Sequence, residues 1–237
     1  MQVQGYQGGG SLDCMLPFTR HEVELLGPRR VVDFGAGKGK LGRLCRDALG
    51  DAVHLTAVEG CTKTVQILQQ NGIYQTIDHA FIQEWVGSNS SPFDLAIFGD
   101  VLEHLTRREA FQVLNRTLTF ASNIIINVPL RNLVQDPHEE NPLEEHKAYF
   151  TEQCFDKRYI LREKHIVTPD PGWVQMNAWI VGRKQFRLKS AVKNMVLKHL
   201  GRKGKRLLEW CGYDGVFPAG YQWDGQGVPT TVHADER

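Results

Sequence analysis

The sequence lacks any run of about 20 apolar residues, so we expect no helix that crosses a membrane. No two cysteines form a CxxC pair, and their number is odd, which disfavours a structural zinc site or a disulfide framework. The five are Cys14, Cys45, Cys61, Cys154 and Cys211. The first residues lack both a basic start and an apolar run, so we expect no signal peptide and a cytoplasmic protein.

Acidic residues are absent between Pro171 and Leu208, although the 237-residue chain is nearly neutral, with 28 Lys and Arg against 27 Asp and Glu. Ten of the 28 basic residues lie between Arg183 and Arg206, which leaves 18 for the rest of the chain. The protein is therefore expected to have an acidic body and a basic C-terminal segment. With 41% hydrophobic residues, the composition excludes collagen and wholesale disorder.

Short β-branched runs alternate with segments of helical period over the first half of the chain. Strands are predicted at 30–34, 53–58, 74–82, 93–98 and 123–128, and helices at 16–26, 40–49, 62–70 and 107–119. This alternation predicts right-handed βαβ units and a parallel sheet covered on both faces. In detail, we expect Thr19 to cap the first helix, Ile67 to face inward and Pro129 to end the fifth strand.

The second half begins with a long polar loop at 130–147, and loops of this length are usually functional or disordered. A short helix is predicted over Phe150–Phe155, with Thr151 as its cap. Two alternating segments, 158–167 and 173–183, are joined by Thr-Pro-Asp-Pro-Gly and predict a β-hairpin that ends the sheet.

A glycine cluster, Gly35-Ala36-Gly37-Lys38-Gly39, separates the first strand from its helix. Glycine permits positive φ and a close approach of ligand to backbone at the carboxyl ends of parallel strands. Glu59 follows the second strand, 20 residues later, where an acid can accept both hydroxyls of a ribose. A P-loop would require Ser or Thr after Lys40, where the chain has Leu41. A dinucleotide GxGxxG would require glycine at position 40 itself, so neither motif fits.

Several motifs, in order, resemble those of the class I S-adenosylmethionine (SAM)-dependent methyltransferases. They are VVDFGAGKG, VEG, FDLAIFGDVLEHL, IIINVPL and EEHKAYFTEQCF, and they extend the resemblance over residues 28–183. The narrower likeness is to methyltransferase-domain proteins with a DVLEHL-type motif. The resemblance implies an α/β, Rossmann-like, doubly wound sheet of seven strands in the order 3-2-1-4-5-7-6, with strand 7 antiparallel. Its implied cofactor is SAM.

Carried over by motif position, the implied cofactor-binding residues lie after the first, second and fourth strands. They are Asp33, Gly35, Ala36, Gly37 and Gly39 for the methionine half, Glu59 for the ribose, and Asp100 and Val101 near the sulfonium. The family often has an acid after the third strand to bind adenine, whereas this sequence has Phe81 there. Stacking and backbone groups are the alternative for holding adenine.

Methyl transfer to a hydroxyl requires a group that accepts the hydroxyl proton, and histidine is the usual choice. His146, at the end of the long loop, is the preferred base, with Asp100 and His104 as further catalytic candidates. The structural alternative for His146 is hydrogen bonding at the start of the following helix, and for His104 it is packing against the sheet. His138 is predicted to be a solvated loop residue. Asp100 with the loop acids could form a Mg²⁺ site, but nothing in the spacing fixes its geometry, so we predict no metal.

The chain is divided into an N-terminal cap segment (1–27), a methyltransferase domain (28–183) and a basic amphipathic helix with a loosely ordered tail (184–237). The basic stretch 183–206 has three interpretations: a helix packed on the domain, contact with an anionic membrane, or nucleic-acid binding, which ranks last. The expected acceptor is a small-molecule or glycan hydroxyl, as in surface-glycan or secondary-metabolite pathways. An RNA methyltransferase and a non-catalytic SAM-fold subunit remain as alternatives, and the oligomeric state is left open.

Overall fold

The computed structural model describes residues 13–130, 136, 141–155, 160–168, 174–182, 221–223 and 229–231. Its sheet strands are β1 (Arg30–Phe34), β2 (His54–Glu59), β3 (Thr76–His79), β4 (Phe93–Gly99), β5 (Ala121–Leu130), β6 (Ile160–Thr168) and β7 (Val174–Gly182). They form one seven-stranded sheet in the order β3-β2-β1-β4-β5-β7-β6. The first five strands are parallel, and β7 runs antiparallel to both β5 and β6. The predicted strand order and the antiparallel seventh strand are therefore confirmed.

Helices cover both faces of this sheet. They are α1 (Leu16–Leu26), α2 (Lys40–Leu49), α3 (Thr62–Asn71), α4 (Ile82–Ser88) and α5 (Arg107–Phe120). Short 3-10 turns lie at Asp13–Met15, Leu102–His104 and Pro142–Glu144. The buried side chains of α1, α2 and α3 share one cluster, and those of α4 and α5 share the other. The sheet is thus doubly wound, as the alternating pattern predicts.

Both clusters draw on the same strands because successive side chains point to opposite faces. In β1, Val31 packs against the α1–α3 side and Val32 against the α4–α5 side. Aromatic rings fill much of the α4–α5 side, where Phe34 stacks on Phe98 at 4.7 Å and meets Trp85 edge-on at 5.3 Å. Burying one such ring contributes roughly 1.5–3 kcal/mol, which fixes the sheet that carries the loops.

The third βα unit differs from its prediction. The strand predicted at 74–82 contains only Thr76–His79, and α4, which the sequence pattern missed, begins at Ile82. Ile82 and Val86 are buried one turn apart on α4, whereas Tyr74 is buried before β3 begins. One segment of mixed polarity therefore serves a loop, a strand and a helix, and periodicity alone could not divide it.

Other local predictions are wrong for reasons of packing. Thr19 lies within α1, where it is buried, and its hydroxyl accepts a hydrogen bond from Asn127 of β5 at 3.0 Å. The cap position of α1 is occupied by Met15, which makes no side-chain capping hydrogen bond. Ile67 is 40% exposed. Pro129 continues β5 because it pairs with Met176 of the antiparallel β7. The segment 150–155 forms turns instead of a helix.

Four parts of the chain on which predictions were made lie outside the described residues. They are the N-terminal cap segment before residue 13, His138, the predicted basic helix and Cys211. Within the predicted tail, Tyr221–Trp223 pairs antiparallel with Pro229–Thr231. In the described ranges, none of the helices has the length and apolar character that crossing a membrane would require.

Candidate functional site

The glycine turn sits between β1 and α2, where the predicted register puts it. Gly35 and Gly37 have φ values of 63° and 53°, which L side chains rarely adopt. A Cβ placed on Gly35 would overlap Cγ2 of Val101 and lie 3.0 Å from its Cβ. Glycine is therefore needed at position 35 both for the backbone conformation and for the close approach of the loop after β4.

The Glu59 carboxylate faces this turn from the end of β2. Its Oε2 accepts a hydrogen bond from the amide of Gly37 at 3.0 Å, and its Oε1 accepts one from the amide of Cys61 at 2.8 Å. Burial raises the pKa of Glu59, and the two backbone amides oppose that rise. A carboxylate has about four lone-pair positions, so it can accept further hydrogen bonds from hydroxyl groups while it holds both amides.

Beneath the turn, Asp33 is buried and accepts a 2.6 Å hydrogen bond from the Tyr74 hydroxyl. Burial raises the pKa of Asp33 from 3.8 to about 7, while the Tyr74 hydrogen bond lowers it and the Glu59 charge adds to the rise. Tyr74 also packs so closely on Gly42 of α2 that a Cβ there would overlap its ring. Asp33 is thereby held at the base of the site in an environment where small electrostatic changes alter its charge.

The loop after β4 forms the opposite wall of the site. Asp100 adopts φ 50°, a strained conformation for a residue other than glycine, and its amide donates to the Asn127 carbonyl at 2.9 Å. Val101 follows directly and packs on Gly35. Strain of this kind persists where the surrounding structure fixes the backbone, and it is frequent at functional sites.

The next residues of the same loop bring Glu103 and His104 next to His146. One ligand-type atom from each of these three side chains lies within 4.8 Å of the other two. The two imidazole rings meet edge-on, with centroids 4.9 Å apart. Burial lowers the pKa of His104, whose Nδ1 lies 3.2 Å from the Glu145 carbonyl oxygen. Of the described residues, these three form the only His, Cys, Asp or Glu group with metal-ligand spacing.

Backbone hydrogen bonds hold the described part of the long loop, 141–148, against this wall. The Glu103 carbonyl oxygen accepts from the amides of Lys147 at 2.7 Å and Ala148 at 3.0 Å. Further along, a Cβ on Gly60 would lie 3.0 Å from Leu143 and 3.3 Å from Phe81, which is 49% exposed. The loop thus spans from the β4 side of the site to the β2 side.

The structure brings together the predicted residues at the ends of β1, β2 and β4, and it places His146 beside His104. Sequence reasoning missed Glu103 and Tyr74 as site residues. Glu103 lies inside the quoted DVLEHL motif, and its burial at 2% exposure separates it from the solvated loop acids. The Tyr74 partnership with Asp33 joins residues 41 positions apart and left no local signal.

Solved structures similar to this fold include those of three methyltransferases. The Burkholderia thailandensis 1,6-didemethyltoxoflavin-N1-methyltransferase is 16% identical, with a TM-score of 0.52 over 72% of this chain and 78% of its own. A SAM-dependent methyltransferase from Archaeoglobus fulgidus is 16% identical, with a TM-score of 0.52 over 73% and 95%. The plantazolicin methyltransferase BamL is 12% identical, with a TM-score of 0.50 over 71% and 84%.

The chain has the class I methyltransferase fold. No protein-family model matches the sequence, and the search of curated proteins finds no match. At these identities the solved structures establish the fold alone, so activity rests on the chemistry of the site.

Proposed function

We propose that the protein is a SAM-dependent methyltransferase whose acceptor is a small-molecule or sugar hydroxyl. The observation that carries this proposal is the contact between the Gly37 amide and the Glu59 carboxylate. It puts the glycine turn and an acid next to each other at one end of the sheet, in the arrangement that binds a nucleoside at the carboxyl ends of parallel strands.

In this proposal the cofactor lies across β1, β2 and β4. Glu59 accepts the ribose hydroxyls, and the turn from Gly35 to Gly39, with Ala36, lines the methionine half above Asp33. Asp100 and Val101 border the sulfonium. The exposed ring of Phe81 beside Gly60 supports stacking as the means of holding adenine. The structures of the toxoflavin precursor enzyme and of BamL contain S-adenosylhomocysteine (SAH), which supports the same cofactor here.

The reaction is an in-line displacement in which the acceptor oxygen forms a bond to the methyl carbon as the sulfur–carbon bond breaks, leaving SAH. Because the sulfonium is already reactive, the protein mainly orients the two partners and excludes water, which can lower the barrier by several kcal/mol. The hydroxyl proton must also be removed. His146, beside His104, is the proposed acceptor of that proton, and general-base catalysis of this kind contributes about 10²–10⁴-fold.

The small-molecule character of the acceptor is supported by the acidic surroundings of the site. Glu144 contributes to raising the pKa of both Glu59 and Glu103, so this carboxylate lies close to the cofactor and acceptor sides alike. Such a site repels the phosphates of RNA and suits neutral, hydroxyl-rich molecules. The toxoflavin precursor bound in the Burkholderia enzyme supports an acceptor of small size.

Two measurements test this function. Calorimetry should detect SAH binding at micromolar ligand, and a screen of hydroxyl-bearing acceptors should release SAH from SAM. The His146→Ala variant should lose at least about tenfold in turnover through loss of the base while its SAH affinity stays nearly unchanged. His165→Ala, on the exposed face of β6, is the control and should match the wild type. No SAH binding at millimolar ligand would leave only a non-catalytic module.

A further inference from the structure

Two imidazoles and a carboxylate converge on one wall of the site, at Glu103, His104 and His146. From this convergence we propose that the three side chains bind one divalent transition-metal ion of the Zn²⁺ type. Binding of the ion depends only on these side chains, whereas its role in methyl transfer rests on the proposed function.

The geometry is close to what such an ion requires. Tetrahedral coordination with bonds of about 2.1 Å places ligand atoms roughly 3.4 Å apart. The three atoms lie within 4.8 Å of one another, so side-chain rotations that move each atom by about an ångström would bring them to a common ion.

The buried carboxylate is the second observation that points to a cation. Glu103 is 2% exposed, and within the described ranges its Oε2 atom has no hydrogen-bond partner. Asp100 and Glu144 are close enough to add to the negative potential around it. Ionising a carboxyl group at such a buried position costs several kcal/mol, and a bound cation would offset that cost.

Backbone hydrogen bonds orient the three side chains that would bind the ion. Since a carbonyl oxygen can only accept, the contact of His104 Nδ1 with the Glu145 carbonyl places the proton on Nδ1 and the lone pair on Nε2. The amides of Lys147 and Ala148 bind the Glu103 carbonyl oxygen, which keeps His146 beside its two partners. The site is therefore held by both the DVLEHL segment and the loop at 141–148.

The ligand set selects the class of ion. Imidazole with one carboxylate suits Zn²⁺, Co²⁺ or Fe²⁺, whereas Mg²⁺ and Ca²⁺ prefer oxygen ligands throughout. Three protein ligands leave at least one position open, as in catalytic zinc sites. An acceptor hydroxyl bound there would have a lowered pKa and lose its proton to water before attacking the methyl group. In that state His146 holds the ion instead of receiving the proton.

The test uses Co²⁺ and Zn²⁺ on the full chain after removal of metals by a chelator, without SAM or acceptor. Co²⁺ should bind one ion per chain with visible absorption bands of low-symmetry coordination, and Zn²⁺ should displace it. The Glu103→Gln and His146→Ala variants should each lose at least about tenfold in affinity. His54→Ala removes an exposed histidine at the amino end of β2 and is the matched control, expected to bind like the wild type.

Glu103→Gln keeps the volume and removes a buried ionisable group, so thermal unfolding should show a stability equal to or above that of the wild type. Weakened Co²⁺ binding in a stable Glu103→Gln variant therefore supports the site. Equal Co²⁺ affinity in the wild type and both ligand variants, or no binding by the wild type, would overturn it. A wild type that binds SAH but no Co²⁺ overturns the metal site alone, and one that binds Co²⁺ but no SAH overturns only the proposed function.

Discussion

The contact between Gly35 and Val101 joins the two walls of the site and can be tested by adding a single methyl group. In Gly35→Ala the residue would have to keep φ 63°, which costs an L-residue about 1–2 kcal/mol. The new Cβ would also overlap Cγ2 of Val101, and overpacking of this kind costs about 1–3 kcal/mol. The free energy of unfolding should therefore fall by about 2–5 kcal/mol.

Substitutions at two other glycines measure the cost of backbone strain without steric overlap. Gly27 has φ 52° at the end of α1 with nothing within 4 Å of an added Cβ, so Gly27→Ala should lose only about 1–2 kcal/mol. Gly37 has φ 53° and its nearest atom is 4.0 Å away, so Gly37→Ala should lose a similar amount while weakening SAH binding through the turn. Urea unfolding at constant pH measures all three variants, and calorimetry with SAH reports the site.

Adding Val101→Ala to Gly35→Ala should restore about 1–3 kcal/mol relative to the sum of the two single substitutions, since it removes the overlap and leaves the strain. The reasoning is refuted if Gly35→Ala loses no more stability than Gly27→Ala. It is equally refuted if the double variant shows no coupling between positions 35 and 101.

Three further predictions concern the acids of the site. Glu59→Gln should weaken SAH binding about 10- to 100-fold, since hydrogen bonds to a charged acceptor contribute about 1.5–3 kcal/mol; unchanged affinity by calorimetry would exclude the ribose role. Asp33 keeps its proton up to about pH 7 in the folded state but releases it near pH 3.8 in the unfolded chain. Its contribution to the free energy of unfolding therefore decreases by about 4 kcal/mol as the pH rises from 3.8 to about 7. Asp33→Asn should flatten that slope in urea unfolding across pH, and a slope equal to that of the wild type would contradict the assignment. Tyr74→Phe should lose about 1–3 kcal/mol above pH 7, where the ionised carboxylate needs the hydroxyl, and less near pH 4; an equal loss at both would argue against this hydrogen bond.

Much of the fold follows from local pattern. The order of β-branched runs and amphipathic segments predicts the bounds of β1, α2, α3, β4 and α5 within one or two residues. The pattern is clear there because each helix buries one apolar stripe and each strand buries both faces against its neighbours. The hairpin of β6 and β7 was equally predictable from its alternation and its Pro-Gly turn. Errors arose where one segment without clear periodicity crossed an element boundary, as at Tyr74 to Ile82, and where tertiary contact overrode a local rule, as at Thr19.

The candidate site divides in the same way. The sequence alone determined where the glycine turn and Glu59 lie, because each directly follows a strand of one βαβ unit, where the proposed ligand would require them. Only the tertiary structure decided that Tyr74 supports Asp33 and that Glu103 and His104 both lie beside His146. These contacts join residues about 40 positions apart, and their energies depend on burial, which no local pattern of residue types encodes.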